Sequence, residues 1–185
     1  MASQLILKEP FGIGCTIEHQ VSELLFSCSS SVTTAHGAMT PFQDIQIVNL
    51  LQFGKTLLLD NVIQSTQADE AIYHESLVHP VLLLANSPKS VFIGGGGELA
   101  TAREVLKHHS VENITMVDID REVIDASREF LPEWGGDTVY NDPRLHIYYE
   151  DAYTYLQKNE ELYDLYDKII IYGSVNICVI RGRYE

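Results

Sequence analysis

Four consecutive glycines, Gly94 to Gly97, follow the apolar run Val91-Phe92-Ile93 and lead into Glu98 and a stretch of helical composition. A glycine-rich turn between a strand and a helix lets backbone come close to a ligand at the carboxyl end of an open parallel sheet. The dinucleotide pattern G-x-G-x-x-G is met at Gly94 and Gly96 but has Leu99 at its third position, which weakens a pyrophosphate reading. Glu98 argues further against a phosphate, because it would set a second anion beside the first. Asp118 ends the next apolar run, roughly 20 residues on, where an acidic side chain accepts hydrogen bonds from ribose hydroxyls. Asp151 ends a third run, in Tyr148-Tyr149-Glu150-Asp151. Each carboxylate taken singly also reads as a helix cap or a solvated strand end, and before Ala152 the cap is an equal reading for Asp151. Together, at successive strand ends, Gly95, Gly96, Glu98, Asp118 and Asp151 point to a nucleoside site.

The ligand must tolerate the charge of Glu98. S-adenosylmethionine carries an ammonium and a carboxylate on its tail, and Glu98 repels the second. Decarboxylated S-adenosylmethionine carries a purely cationic aminopropyl arm, so Glu98 can pair with its amine and select against the parent molecule by charge. The expectation is therefore decarboxylated S-adenosylmethionine as a co-substrate, with no tightly bound cofactor. A methyltransferase-like protein that binds S-adenosylmethionine itself remains the alternative. No metal is expected at His74 and His79, which lie five residues apart and about 140° around a helix, whereas H-E-x-x-H needs a spacing of four. Cys15, Cys28 and Cys178 are odd in number, form no C-x-x-C pair, and read as reduced packing residues.

The elements that must position these groups follow from hydrophobic rhythm. Up to about residue 66, short apolar runs alternate with Gly, Ser, Asp-Asn and Pro, the pattern of β-hairpins. Asp60-Asn61 supplies a turn pair tolerant of positive φ, and residues 28–37 have the composition of a loop. Residues 68–84 suit one or two helices interrupted near Pro80. Strands at 90–93, 114–118, 144–149 and 168–172 then alternate with helices at 98–109, 120–131 and 152–158, as in right-handed βαβ units. The fold class is α/β. A small antiparallel β-hairpin domain, 1–66, precedes an incomplete Rossmann-like, methyltransferase-like parallel sheet, 67–185.

At 185 residues the chain has room for one domain and a small appendage. Lys and Arg number 12 against 26 Asp and Glu, a net charge of −14 with 45% hydrophobic residues. That balance excludes a disordered chain and repels nucleic acid, and it favours a cationic substrate or partner. No run is long enough for a membrane helix and the N-terminus lacks a secretory layout, so the expectation is a cytoplasmic protein.

From about Thr40 to Asp167 the chain resembles the polyamine synthases, the aminopropyltransferases such as spermidine synthase. The resemblance is carried by Thr40-Pro41-Phe42-Gln43, Leu59-Asp60-Asn61-Val62-Ile63-Gln64, Asp69 to Glu75 with Tyr73-His74, the glycines with Glu98, Ala102-Arg103-Glu104-Val105, Val117-Asp118 and Glu150-Asp151. Glutamate after the glycines, where spermidine synthases usually have aspartate, looks more like the thermospermine synthase branch. The resemblance implies aminopropyl transfer to putrescine or spermidine. It implies that Gln43, Glu98, Asp118 and Asp151 hold the nucleoside, that Gln64, Tyr73 and His74 lie near the aminopropyl group and acceptor amine, and that the chain forms a homodimer. The chain departs from the family at Tyr172, which stands where the family has the aspartate that deprotonates the attacking amine. No Asp-Pro loop follows, and against the family pattern the chain reads as truncated at its C-terminus. No catalytic residue is assigned, transfer by residues 1–185 alone is expected to be little or none, and a non-catalytic truncated homologue is a further reading. The strand 168–172 is expected to be an unpaired, aggregation-prone edge.

Overall fold

A computed structural model describes residues 33–85, 87–159, 168–172 and 177–180. The chain divides into two compact units, residues 1–70 and 71–185. The first holds four antiparallel strands in the order β1-β2-β3-β4: β1 (Thr33–Met39), β2 (Asp44–Leu50), β3 (Gly54–Leu59) and β4 (Val62–Thr66). Asp60 and Asn61 have φ of 51° and 64° and close a two-residue hairpin with Leu59 opposite Val62. That left-handed pair matches the twist of the flanking strands. The Asp60 carboxylate also accepts from the Asp44 N–H at 2.8 Å, which ties the turn to the start of β2. Val48, Leu50 and Leu58 form a small core with Phe53 and Ile63 packed against it.

The second unit opens with α1 (Glu70–Leu84) and builds a five-stranded sheet in the order β7-β6-β5-β8-β9. Four strands run parallel: β5 (Ser90–Gly94), β6 (Asn113–Asp118), β7 (Leu145–Tyr149) and β8 (Lys168–Tyr172). Between them come α2 (Ala100–Leu106), α3 (Arg121–Phe130), a 3-10 turn (Pro132–Trp134), α4 (Gly136–Tyr140) and α5 (Ala152–Lys158). The chain steps from β5 outward to β6 and β7, then returns to the other side of β5 as β8. This reversal opens a crevice at the carboxyl end of β5, where open α/β sheets bind ligands. Val91 and Ile93 of β5 and Ile114 and Met116 of β6 pack with Val78, Val81 and Leu82 of α1 and with Leu99, Ala102 and Val105 around α2. No helix among the described residues is long and apolar enough to cross a membrane.

The antiparallel sheet followed by a parallel α/β sheet is the expected architecture, with four local differences. α1 runs through Pro80 without a break. Proline deprives the carbonyl four residues earlier of its partner, but that residue, Ser76, is exposed and water can serve it. Residues 33–37, read as loop, belong to β1; Thr34, Ala35 and Gly37 are exposed, so backbone pairing with β2 holds this strand and no apolar alternation betrays it. β8 is not an unpaired edge, because β9 (Ile177–Ile180) returns antiparallel along it with Tyr172 opposite Ile177. α2 spans 100–106, shorter than the expected 98–109. Cys15 and Cys28 lie outside the described residues, as do Tyr166 and Asp167.

Candidate functional site

The glycine loop follows β5, between β6 and β8. Gly94 is in register with Val117 on one side and Tyr172 on the other, and the Gly95 N–H donates to the Val117 carbonyl at 2.8 Å. Gly95 and Gly96 have φ of 81° and 89°, a conformation that glycine adopts freely. Gly97 is needed for another reason. A Cβ there would lie 2.8 Å from Val123 Cγ1 and 3.0 Å from Asp118 Oδ2. The close approach at this position is thus to the protein's own carboxylate and to α3. At the third position of the glycine pattern, Leu99 takes φ 70° with its side chain wholly buried.

Glu98 meets His74 of α1: Nε2 lies 3.0 Å from Glu98 Oε1, with the imidazole fully buried and the carboxylate only 13% exposed. His74 shares the inner face of α1 with Val78, Val81 and Leu82, so helix packing aims the ring. Burial pushes the Glu98 pKa up, but the hydrogen bond and charge interaction with His74 outweigh it, and the group sits below its ordinary value. Tyr73 stands edge-on to His74, with ring centroids 4.9 Å apart at 87°. Its hydroxyl pKa is raised, first by burial and then by the charge of Glu98.

Asp118 completes this group. It ends β6, is almost wholly buried, and accepts from the Asp120 N–H at 2.9 Å and from the Gly97 N–H. Burial, reinforced by the charges of Glu98 and Asp120, pushes its pKa up to about 6 despite those two hydrogen bonds. Glu98, Asp118, His74 and Tyr73 thus come together at the carboxyl end of β5 and β6, two carboxylates with one imidazole between them and α1.

Asp151 stands apart from this cluster in character. It is exposed at the end of β7 and caps α5, accepting from the Thr154 N–H at 2.7 Å, and this bond lowers its pKa. The cap reading of Asp151 is therefore realised. Gln43 and Gln64 belong to the first unit. The Gln43 backbone exchanges hydrogen bonds with Thr40, and Gln64 is exposed with Nε2 donating to the Val62 carbonyl at 3.3 Å. The sequence reading did not find the direct pairing of His74 with Glu98, 24 residues apart. It also passed over Glu75 and Glu104, each four residues before a histidine, a spacing that puts Glu75 and His79 on one face of α1.

Comparison with protein families matches residues 70–184 to the spermine/spermidine synthase domain and residues 12–67 to the spermidine synthase tetramerisation domain. The chain belongs to the spermine/spermidine synthase family. A polyamine aminopropyltransferase of Sulfurisphaera tokodaii is 49% identical over 125 residues, which are 68% of this chain and 41% of that protein. Thermospermine synthase ACAULIS5 of Arabidopsis thaliana is 43% identical over 130 residues, 70% of this chain and 38% of its own length. A crystal structure of spermidine synthase in complex with the transition state analogue AdoDATO superposes with a TM-score of 0.70 at 33% identity, covering 77% of this chain and 46% of that one. The chain spans less than half the length of each of these three proteins. As a member of the spermine/spermidine synthase family it carries glutamate directly after the glycines, and that glutamate is the one held by His74.

Proposed function

We propose that this chain binds decarboxylated S-adenosylmethionine at the carboxyl end of β5 and β6, as the aminopropyl donor of polyamine biosynthesis, with putrescine or spermidine as the acceptor. The observation that carries the reading is the convergence of two carboxylates, Glu98 paired with His74 and Asp118 held by the Gly97 and Asp120 N–H groups, at neighbouring strand ends. Among the described residues, two carboxylates against one imidazole leave this site rich in negative charge, and it gains most from a ligand that brings a cation. In this reading Glu98 takes the propylamine and Asp118 the ribose hydroxyls. Gly95 and Gly96 let the ligand approach the backbone, and Asp151 completes the nucleoside contacts. Tyr73 and His74 line the path of the acceptor amine. The relatives named above as polyamine aminopropyltransferase and thermospermine synthase support the same chemistry, and the tetramerisation match over 12–67 supports self-association through the first unit.

Transfer requires a neutral amine nitrogen to form a bond to the methylene beside the sulfonium. The carbon–sulfur bond breaks, methylthioadenosine leaves uncharged, and the amine proton passes to a base. Orientation of the two cations in an acidic site supplies part of the acceleration. The backbone of Tyr172 ends β8 beside Gly94, the strand end next to the glycine loop. A phenol with an ordinary pKa of about 10 is a poor proton acceptor at neutral pH. The chain is therefore proposed to bind the donor while transferring its aminopropyl group slowly.

Calorimetry with decarboxylated and intact S-adenosylmethionine tests the binding reading. The native chain should prefer the decarboxylated form by at least about tenfold, the scale of one charge interaction in a partly buried site, and Glu98→Gln should erase the preference. Tighter binding of the intact form would replace this reading with a methyltransferase-like one. Polyamine chromatography tests the catalytic part: the native chain should form little product, and Tyr172→Asp should form more.

A further inference from the structure

In the second unit two Glu-x-x-x-His pairs face each other: Glu75 and His79 on α1, and Glu104 and His108 on and just after α2. One ligand atom from each of Glu75, His79 and Glu104 falls within a sphere of mutual distances no greater than 4.8 Å. His79 Nε2 lies 3.1 Å from Glu104 Oε2, and His79 Nδ1 lies 2.9 Å from His108 Nε2. Glu104 is fully buried. Its Oε2 is met by the Lys107 ammonium at 2.6 Å, which also reaches Glu75 at 3.9 Å.

We propose that Glu75, His79 and Glu104 form a binding site for a divalent transition-metal ion such as zinc, with His79 ligating through Nε2 and Lys107 as the side chain that gives way. A metal-bound histidine ordinarily donates its second ring N–H to a fixed acceptor, which sets its tautomer and orientation. His108 Nε2 is placed to be that acceptor. Two carboxylates balance a divalent charge, and the imidazole selects zinc, cobalt or nickel over magnesium, which demands oxygen ligands and retains its waters. Arg103 stays on Glu104 Oε1 at 2.7 Å and also reaches the Glu133 and Trp134 carbonyls, so the second carboxylate oxygen keeps its partner while Oε2 turns to the metal. Lys107 is half exposed and can swing into water.

The test is calorimetric titration of the chelator-treated full chain with zinc chloride, with magnesium chloride as the comparison and cobalt absorption as an independent readout of coordination. The expected result is one zinc equivalent, no magnesium binding at matched concentration, and tetrahedral cobalt bands. Glu75→Gln and His79→Gln should each weaken zinc by at least about tenfold, and His108→Ala by about tenfold through loss of the orienting contact. Lys107→Met removes the competing ammonium without touching a ligand and should tighten zinc. Zinc binding unchanged in both Glu75→Gln and His79→Gln would assign it to other surface histidines and overturn the proposal. So would the absence of binding in both the native chain and Lys107→Met, each shown folded by circular dichroism. Neither outcome bears on the nucleoside reading, because none of these residues belongs to that site.

Discussion

Two histidines of α1, five residues apart, each meet a buried glutamate from the segment after β5, and the two pairs are charged quite differently. His74 faces Glu98, which also interacts with the charge of the Asp118 carboxylate. His79 faces Glu104, which is also held by Arg103 and Lys107. In both glutamates burial raises the pKa and partners bring it back below the ordinary value, but the partners differ: one imidazole for Glu98, two side-chain cations for Glu104. The same pairing of residue types thus serves two ends. Around Glu104 the protein sets side-chain cations, one of which, the half-exposed Lys107, a metal ion must displace. Around Glu98 and Asp118 it leaves negative charge that an incoming cation can meet.

The sharpest way to break this contrast is to neutralise each carboxylate in turn. Glu104→Gln strands Arg103 and Lys107 against an amide and should cost about 3 kcal/mol, the scale of a broken buried ion pair, read by urea unfolding. Asp118→Asn should do the opposite. The folded Asp118 holds its proton up to about pH 6, above the ordinary 3.8, so its ionisation opposes folding. Stability contributed by this group is greatest below the unfolded pKa and falls as pH rises from about 4 to about 6. The amide removes that penalty and should stabilise the chain at pH 7 by at most about 3 kcal/mol, while abolishing donor binding. The native chain should gain stability between pH 7 and 5, and the Asp118→Asn chain should lose that response. An Asp118→Asn variant less stable than the native chain at pH 7 would break the comparison.

Gly97→Ala sharpens the contrast from the packing side. Its new methyl would press on Val123 and on Asp118 Oδ2, so a loss of about 2 kcal/mol is expected, together with weaker donor binding as the carboxylate shifts. The smallest structural effect belongs to Asp151→Ala, which removes an exposed cap and should lower Tm slightly. Its value lies in calorimetry with the donor. A loss of affinity supports the nucleoside contact proposed for Asp151, and unchanged affinity leaves it a cap only.

Elements marked by a buried apolar run or a helical period were legible in the sequence. Ser90 to Gly94, Asn113 to Asp118 and Ala152 to Lys158 fall close to where periodicity places them, and Asp60-Asn61 turns as its residue types require. Elements held by backbone pairing alone were not. β1 exposes much of its length, and β9 is four residues that gain their meaning only beside β8. The 3-10 turn and α4 are too short for a helical period, and their anchor, the buried Trp134, is visible only once packed. The carboxylates of the site could be named from their places at strand ends. The pairing of His74 with Glu98 could not, since it depends on how α1 lies against the glycine loop.

Leu99 carries one last consequence. A left-handed backbone at a leucine is held in place because its side chain is sealed in the interior beneath the loop. The bend after the glycines is therefore anchored from below and is already shaped before anything enters the crevice. A guest arriving there spends little of its affinity on ordering its host.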